Sequence, residues 1–245
     1  MSATQDAGHD QIPRGSRSDV RIADSAEIAE EVSIGSFAVI EENVRIGDGC
    51  EIGHHVVIRR GTKIGDHVRI DDHAVLGKQP MRSARSAVTQ EERQPPLVVG
   101  DEAIIGTSAV LYAGARLEHG VMVADEATVR EEVEVGEKTI IGRGVAVENE
   151  CRIGARCKIE TNAYISAYSR VGDDAFIAPC VATSNDRYLG RTDRRFDEYD
   201  GVTVERGGRI GVGAVILPGR TVEADAVVAA GAVLTRDAEA RKIWA

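Results

Sequence analysis

The chain has 245 residues, of which 30 are basic and 40 acidic, giving a formal net charge of −10. That balance argues against a general nucleic-acid surface, which needs a basic excess. Hydrophobic residues make up 42% of the chain and aromatic residues only 4%, so a core here must be built from Val, Ile, Leu and Ala. The chain opens on "MSATQDAGHDQIPRGSRSD", which is polar and lacks the apolar segment of a secretory signal. Residues 1–20 are therefore expected to form a flexible tail, and the protein is expected to be cytoplasmic. No apolar run reaches the length of a membrane span. The four cysteines lack paired metal-site spacing.

Beyond the tail, an aliphatic residue returns every sixth position. The first block runs from Ile22 through Ile28, Ile34 and Ile40 to Leu76. The stretch "KQPMRSARSAVTQEERQPP" then interrupts it, predicting a loop over 78–98. The beat resumes from Val99 to Ile177, stops again in "VATSNDRYLGRTDRRFDEYDGV", and returns from Val204 to Leu234. The second break predicts a loop over 183–203. Four residues after each aliphatic comes a small or β-branched one, such as Ala38, Ala74 or Ala109; Cys50, Cys151 and Cys157 occupy this position too. Arg220 is its exception.

A six-residue beat smears around a helix, and it is too sustained for isolated hairpins. It suits one short strand plus one corner. Three such sides close a triangular coil of 18 residues, and coils stack through backbone hydrogen bonds. The thirty on-beat positions make about ten coils. Flat stacked faces offer few pockets, so function is expected where the beat breaks.

This pattern is the hexapeptide repeat, and over residues 22–238 the chain resembles the left-handed β-helix acyltransferases. The resemblance implies an all-β fold: a single-stranded, left-handed parallel β-helix over residues 21–245 with two protruding loops. It also implies a homotrimer with active sites in grooves between prisms, and acyl transfer from a CoA or carrier-protein thioester. "TSND" at the start of the second loop is similar to the "TND" of nucleotide-sugar N-acyltransferases. "LVVGDEAIIGTSAVLYAGA", "GVTVERGGRIGVGAVILPG" and "VVAAGAVLTRDA" look like the same branch. The implied reaction is acetylation of an amino group on a nucleotide-linked amino-sugar, with acetyl-CoA as donor and no metal.

Acyl transfer to an amine needs donors for the developing oxyanion and an acceptor for a proton. Many relatives use a histidine at a corner of the prism. The matching segment here, "VMVADEATVRE", has none, so Asp125 and then Glu126 are the candidate bases, with a solvated turn acid as the competing reading. Asn185, Asp186 and Arg187 are candidate contacts for the acceptor; the competing reading is a turn and a solvated charge run. Asn149 precedes Asn185 by two coil lengths and is expected at the same corner. The resemblance places the donor along Gly213, Ala214, Ala230, Gly231 and Ala232, with Arg236 and Lys242 for the CoA phosphates.

Two other readings remain. His55 and His73 lie one coil apart and should stack, and some relatives of this fold bind zinc through three histidines and hydrate carbon dioxide. His67 falls at a different corner, so a third ligand is not evident. The other reading is a non-catalytic trimeric scaffold.

Overall fold

The computed structural model describes residues 19–83, 93–196 and 198–245. Most of the expected tail and the middle of the first insertion lie outside these residues. The described chain winds as a left-handed parallel β-helix. Its 32 strands form three parallel sheets of 11, 10 and 11 strands, one tier more than the ten expected. Most strands are two residues long; Val75–Lys78 and Val110–Tyr112 are the longer ones.

The register follows from the repeat. Ile22 pairs with Ile40 and Val57 with Val75, so each residue sits 18 positions from its neighbour above. Where the first insertion intervenes, Leu76 pairs with Leu111 instead. Within each strand one residue points outward and the next inward. The inward set is the aliphatic beat: Ile52, Ile58, Ile105, Leu111, Ile141 and Ile159 are all 0% exposed.

The small position is set by the corner that follows it. Ala38, Ala74 and Ala109 are fully buried there. At four of the polar residues in this place, the side chain bonds a carbonyl 15 residues on, as Cys151 Sγ does to Ser166 O at 3.2 Å. Cys50 Sγ donates to Gly65 O at 3.1 Å, Cys157 Sγ to Gly172 O at 3.1 Å, and Thr139 Oγ1 to Gly154 O at 2.7 Å. These cysteines are core thiols. Arg220 solves the same problem differently, reaching outward so that Nη1 lies 3.4 Å from Asp237.

From Phe37 on, most corners turn through a residue in the left-handed region. Phe37, His55 and Glu126 have φ of 62°, 57° and 61°. Such a conformation costs a non-glycine residue about 1–2 kcal/mol. Coil-to-coil bonds offset it: His55 N–H donates to Ser36 O at 3.0 Å and Glu126 N–H to Thr107 O at 2.9 Å. The glycine that often follows the aliphatic has a steric cause. A Cβ on Gly35 would lie 2.6 Å from the carbonyl carbon of Gly53, in the coil above.

We number the faces by the strands that open them: face 1 from Arg21–Ile22, face 2 from Glu27–Ile28 and face 3 from Ser33–Ile34. Their outward residues differ. Face 1 is uncharged from Val39 through Val57, Val75, Val110, Ala146 and Tyr164 to Val233. Face 2 is charged, carrying Arg45, Lys63, Arg116, Glu134, Arg152 and Arg170. Face 3 is mixed, with Ile104, Met122 and Ile140 at its middle.

Candidate functional site

Both insertions leave from one edge. The first follows Val75–Lys78 and the second follows Ala182–Thr183, both strands of face 1, and each returns to a strand of face 2. Five tiers separate the two roots, roughly 24 Å at ~4.8 Å per tier. The edge between faces 1 and 2 is thus bracketed above and below by inserted chain.

Both roots are fastened by polar groups. At the first, Gln94 N–H donates to Gln79 Oε1 at 3.0 Å, and Gln79 Nε2 donates to Gln94 O at 3.1 Å. At the second, Thr183 takes an aliphatic position of the beat. Its hydroxyl accepts from Ser166 N–H at 2.7 Å and lies 3.1 Å from Tyr164 O. Ser169 Oγ bonds Ser166 O at 2.6 Å and accepts from Val202 N–H at 3.2 Å, where the insertion re-enters the prism. A buried hydroxyl network therefore holds both ends of the second insertion.

Between the roots this edge departs from the repeat. On the other two edges the residue after the aliphatic is often glycine, as at Gly47, Gly65, Gly136, Gly35, Gly53 and Gly142. On this edge it is Tyr112, Arg130, Glu148 and Ser166 in successive tiers. Lys78 Nζ donates to Tyr112 OH at 3.1 Å, and both Lys78 Nζ and Arg130 Cζ lie 4.9 Å from the Tyr112 ring centre. Arg130 grips Glu131 through two bonds, Nε–Oε2 at 2.8 Å and Nη2–Oε1 at 2.9 Å, and reaches Glu148 Oε2 at 3.1 Å. The Glu131 side chain is 4% exposed, Arg130 19% and Glu148 22%.

The electrostatics follow from that burial. Burial pushes the Glu148 carboxyl above its ordinary range, with Arg130 opposing and Glu131 adding to the rise. Burial pulls on the Arg130 guanidinium too, but Glu131 and Glu148 outweigh it and keep it charged. Glu150, one corner residue further, is raised by burial and by Glu132. Tyr168, raised first by burial and then by Glu150, is pushed up to about 12 and stacks on Tyr199 of the second insertion at 5.7 Å.

The sequence candidates fall on two edges. Asn149 and Asn185 share the bracketed edge, as their spacing predicts. Asn149 is 1% exposed, and Asn185 Nδ2 lies 3.5 Å from Ala167 O. Asp186 shapes the loop, accepting from Tyr188 N–H at 2.7 Å and Gly190 N–H at 2.8 Å. Arg187 is ion-paired with Asp200, and Arg194 with Glu198, so both guanidiniums are committed within the insertion.

Asp125 and Glu126 lie on the edge between faces 3 and 1. Both are exposed. Asp125 Oδ1 accepts from Thr107 N–H at 2.9 Å, the same bracket that Asp66 makes to Asp48 N–H and Asp173 to Ala155 N–H. Glu126 faces Arg143 at 3.4 Å. Gly213, Ala230 and Gly231 are exposed on the same edge as Asp125. Ala214 points into the core at 0% exposure, and Ala232 is half-buried. Arg236 lies over the Trp244 ring at 4.9 Å, beside a hollow of about 280 Å³ that Ala232 also lines. Lys242 is ion-paired with Glu239.

His55 and His73 stack at 4.8 Å with rings 4° apart, and Phe37 continues the column at 5.0 Å. Among the described residues no group of three His, Cys, Asp or Glu is arranged to hold a metal ion. Nor is any helix among them long and apolar enough to cross a membrane.

The sequence reading missed Tyr112, Arg130, Glu131 and Glu148. The signal was present: at Tyr112, Arg130 and Glu148, three hexapeptides apart each time, the residue after the aliphatic is large or charged where the neighbouring edges often have glycine.

Comparison with known proteins agrees with the architecture. The bacterial transferase hexapeptide family (six repeats) matches residues 25–60 and 43–78, and the hexapeptide repeat of succinyl-transferase matches residues 201–236. The chain is a hexapeptide-repeat protein of the left-handed β-helix class. Among solved structures it is similar to the UDP-N-acetylglucosamine acyltransferase of Francisella novicida, with a TM-score of 0.64 and 26% identity over 69% of this chain. It is also similar in fold to the UDP-N-acetylglucosamine O-acyltransferase of Moraxella catarrhalis, with a TM-score of 0.52 and 17% identity over 90% of this chain. The alignments span 62% and 66% of those two proteins. A search of curated proteins returned no match.

Proposed function

We propose that this protein is an acyl-CoA-dependent N-acyltransferase that acetylates an amino group of a nucleotide-linked amino-sugar, working as a homotrimer. The observation that carries this reading is the edge bracketed by two insertions. There a repetitive scaffold gives up its small corner residues for half-buried charged and aromatic ones. The Francisella novicida relative, an acyltransferase of a nucleotide-linked sugar, supports the substrate class.

The assembly rests on face 1. Its outward side is uncharged over most of its length, and it lies between the acceptor edge and the edge carrying Asp125, Gly213 and Gly231. A neighbouring copy packed against face 1 brings its own edge towards the acceptor residues. Asn185 and the second insertion hold the sugar, with Asn149 packed beneath that edge and Asp186 and Arg187 shaping the insertion. The thioester arm of acetyl-CoA lies along Gly213, Ala230, Gly231 and Ala232, with Arg236 and Lys242 near its phosphates and Ala214 as the packed floor beneath. The amine attacks the thioester carbonyl directly, and backbone N–H groups stabilise the oxyanion. Asp125, with Glu126 beside it, takes the proton released as the amide forms.

The experiment is thiol release on mixing acetyl-CoA with a panel of UDP- and dTDP-amino-sugars, run beside sedimentation analysis. Turnover with one member, by a trimer, is expected. No turnover with any member would remove the enzymatic reading.

A further inference from the structure

We propose that the column Phe37–His55–His73 is the ridge that seats one copy of the chain on face 1 of the next, against Val39, Val57 and Val75. This rests on the homotrimer of the reading above and names the two surfaces that build it.

Phe37 is out of place on a lone prism. Its side chain is 54% exposed, and its backbone lies in the left-handed region at φ 62°. That conformation is a genuine outlier for a bulky residue. The other two edges fill the same corner position at lower cost with Asn43 and Gly49, at φ of 58° and 62°. His55 and His73, both exposed, continue the column. The three rings follow one another at 5.0 and 4.8 Å, 15° and 4° from parallel. Stacked rings in successive coils make a rigid raised ridge on the edge between faces 3 and 1.

Geometry selects the surface that receives it. Each coil has three six-residue sides, so the faces of the prism stand a third of a turn apart. Rotation by a third of a turn also relates the copies of a trimer, and it maps these three directions onto one another. No face of one copy is then antiparallel to a face of the next, so two flat faces cannot lie together. The ring closes by setting an edge of one copy on a face of the next, a heterologous contact. When face 1 receives, the same rotation leaves only the two edges that flank face 1 able to point into it. The edge between faces 1 and 2 carries the roots of both insertions and the ion pairs Arg59–Glu41 and Arg60–Glu42. The edge between faces 3 and 1 carries the ridge. Rotation keeps height along the prism, so Phe37, His55 and His73 arrive at the tiers of Val39, Val57 and Val75. Those valines are half-buried and stacked in register.

The contact also completes the site. A ridge set on a flat face leaves a cleft on either side, and one cleft is bounded by the edge that bears both insertions. Asp125, Gly213 and Gly231 lie further along the ridge's own edge. They enter that cleft from the second copy.

The test is sedimentation velocity of the full chain over a dilution series, with wild type, Phe37→Asp, Phe37→Tyr and Met122→Asp. Aspartate tolerates the left-handed region better than phenylalanine, and circular dichroism with thermal melting checks that each variant is folded. Wild type is expected to be a trimer, Phe37→Asp to weaken it at least about tenfold, and Phe37→Tyr to hold it. Met122 belongs to the rival apolar stripe of face 3, with Ile104 and Ile140, and Met122→Asp should leave the trimer intact. In a Cys180→Ser background, oxidation of Phe37→Cys with Val57→Cys should join chains covalently, whereas Phe37→Cys with Lys63→Cys on face 2 should not. A trimer that Phe37→Asp leaves as tight, that Met122→Asp weakens more, or that does not join at Val57 overturns this inference while the homotrimer stands. A wild type that is not a trimer removes the homotrimer and this inference with it.

Discussion

Replacing Arg130 with leucine tests the charged edge from the stability side. The guanidinium is 19% exposed, Glu131 4% and Glu148 22%. Removing one partner of a fully buried pair costs about 3–5 kcal/mol, because the other charge is left uncompensated. Partial exposure of Arg130 and Glu148 lowers the expected cost to about 2–3 kcal/mol. For a chain of this length that corresponds to a fall in Tm of roughly 4–12 °C. The cost is also pH-dependent, with a definite sign. Burial already places the Glu148 carboxyl above its ordinary range. The folded chain therefore holds a proton there that the unfolded chain has released, and stability falls as pH rises from about 4.3 through the folded value. Losing Arg130 raises that value further. The deficit of Arg130→Leu should thus be small near pH 4 and full at pH 7.5. Thermal melting across that range by circular dichroism is the assay. An equal deficit at both ends, or one below about 1 kcal/mol at pH 7.5, would refute the reasoning.

Other consequences concern separate parts of the molecule. Thr183→Val leaves Ser166 N–H without its acceptor and should cost about 1–3 kcal/mol; limited proteolysis within residues 184–202 should quicken, and an unchanged cleavage rate would contradict the fastening role of the hydroxyl network. Cys151 is pushed up to about 12 by burial and Cys50 and Cys157 are raised by the same cause, whereas Cys180 is exposed. A thiol reagent at pH 8 should therefore label one cysteine per native chain quickly and the other three only on unfolding; fast labelling of a second would sink this reading of the core. Asp125→Asn should cut turnover sharply at neutral pH while leaving the stability within about 0.5 kcal/mol of wild type, since Asn can still accept from Thr107 N–H; an unchanged rate removes Asp125 from the mechanism.

The fold was legible because one constraint repeats at every coil. A step of six with an inward aliphatic, and a small residue four positions later, determines strand length, corner and register together. Even the stacking of His55 on His73, and the exclusion of His67 from that column, followed from counting by 18. Handedness did not follow from the count; it came from the resemblance. The candidate site was legible only in part. Breaks in the beat located both insertions, and the 36-residue interval put Asn149 and Asn185 on one edge. Arg130, Glu131 and Glu148 stayed hidden because each sits inside an intact hexapeptide. Their significance appears only when the hexapeptides are sorted by edge, since every third corner is stacked on its own kind. Arg220 shows the same limit: a large cation at a small position is explained by Asp237, 17 residues later, and by nothing in its own repeat.

The most direct measurement is a crystal structure with CoA and a nucleotide-linked amino-sugar bound. The sugar should lie on the edge between faces 1 and 2, between the two insertions and against the second one, with the thioester arm entering along Gly213 and Gly231 of an adjacent copy. Density for the sugar on the charged outward side of face 2, or on a chain whose face 1 touches no second copy, would contradict the account.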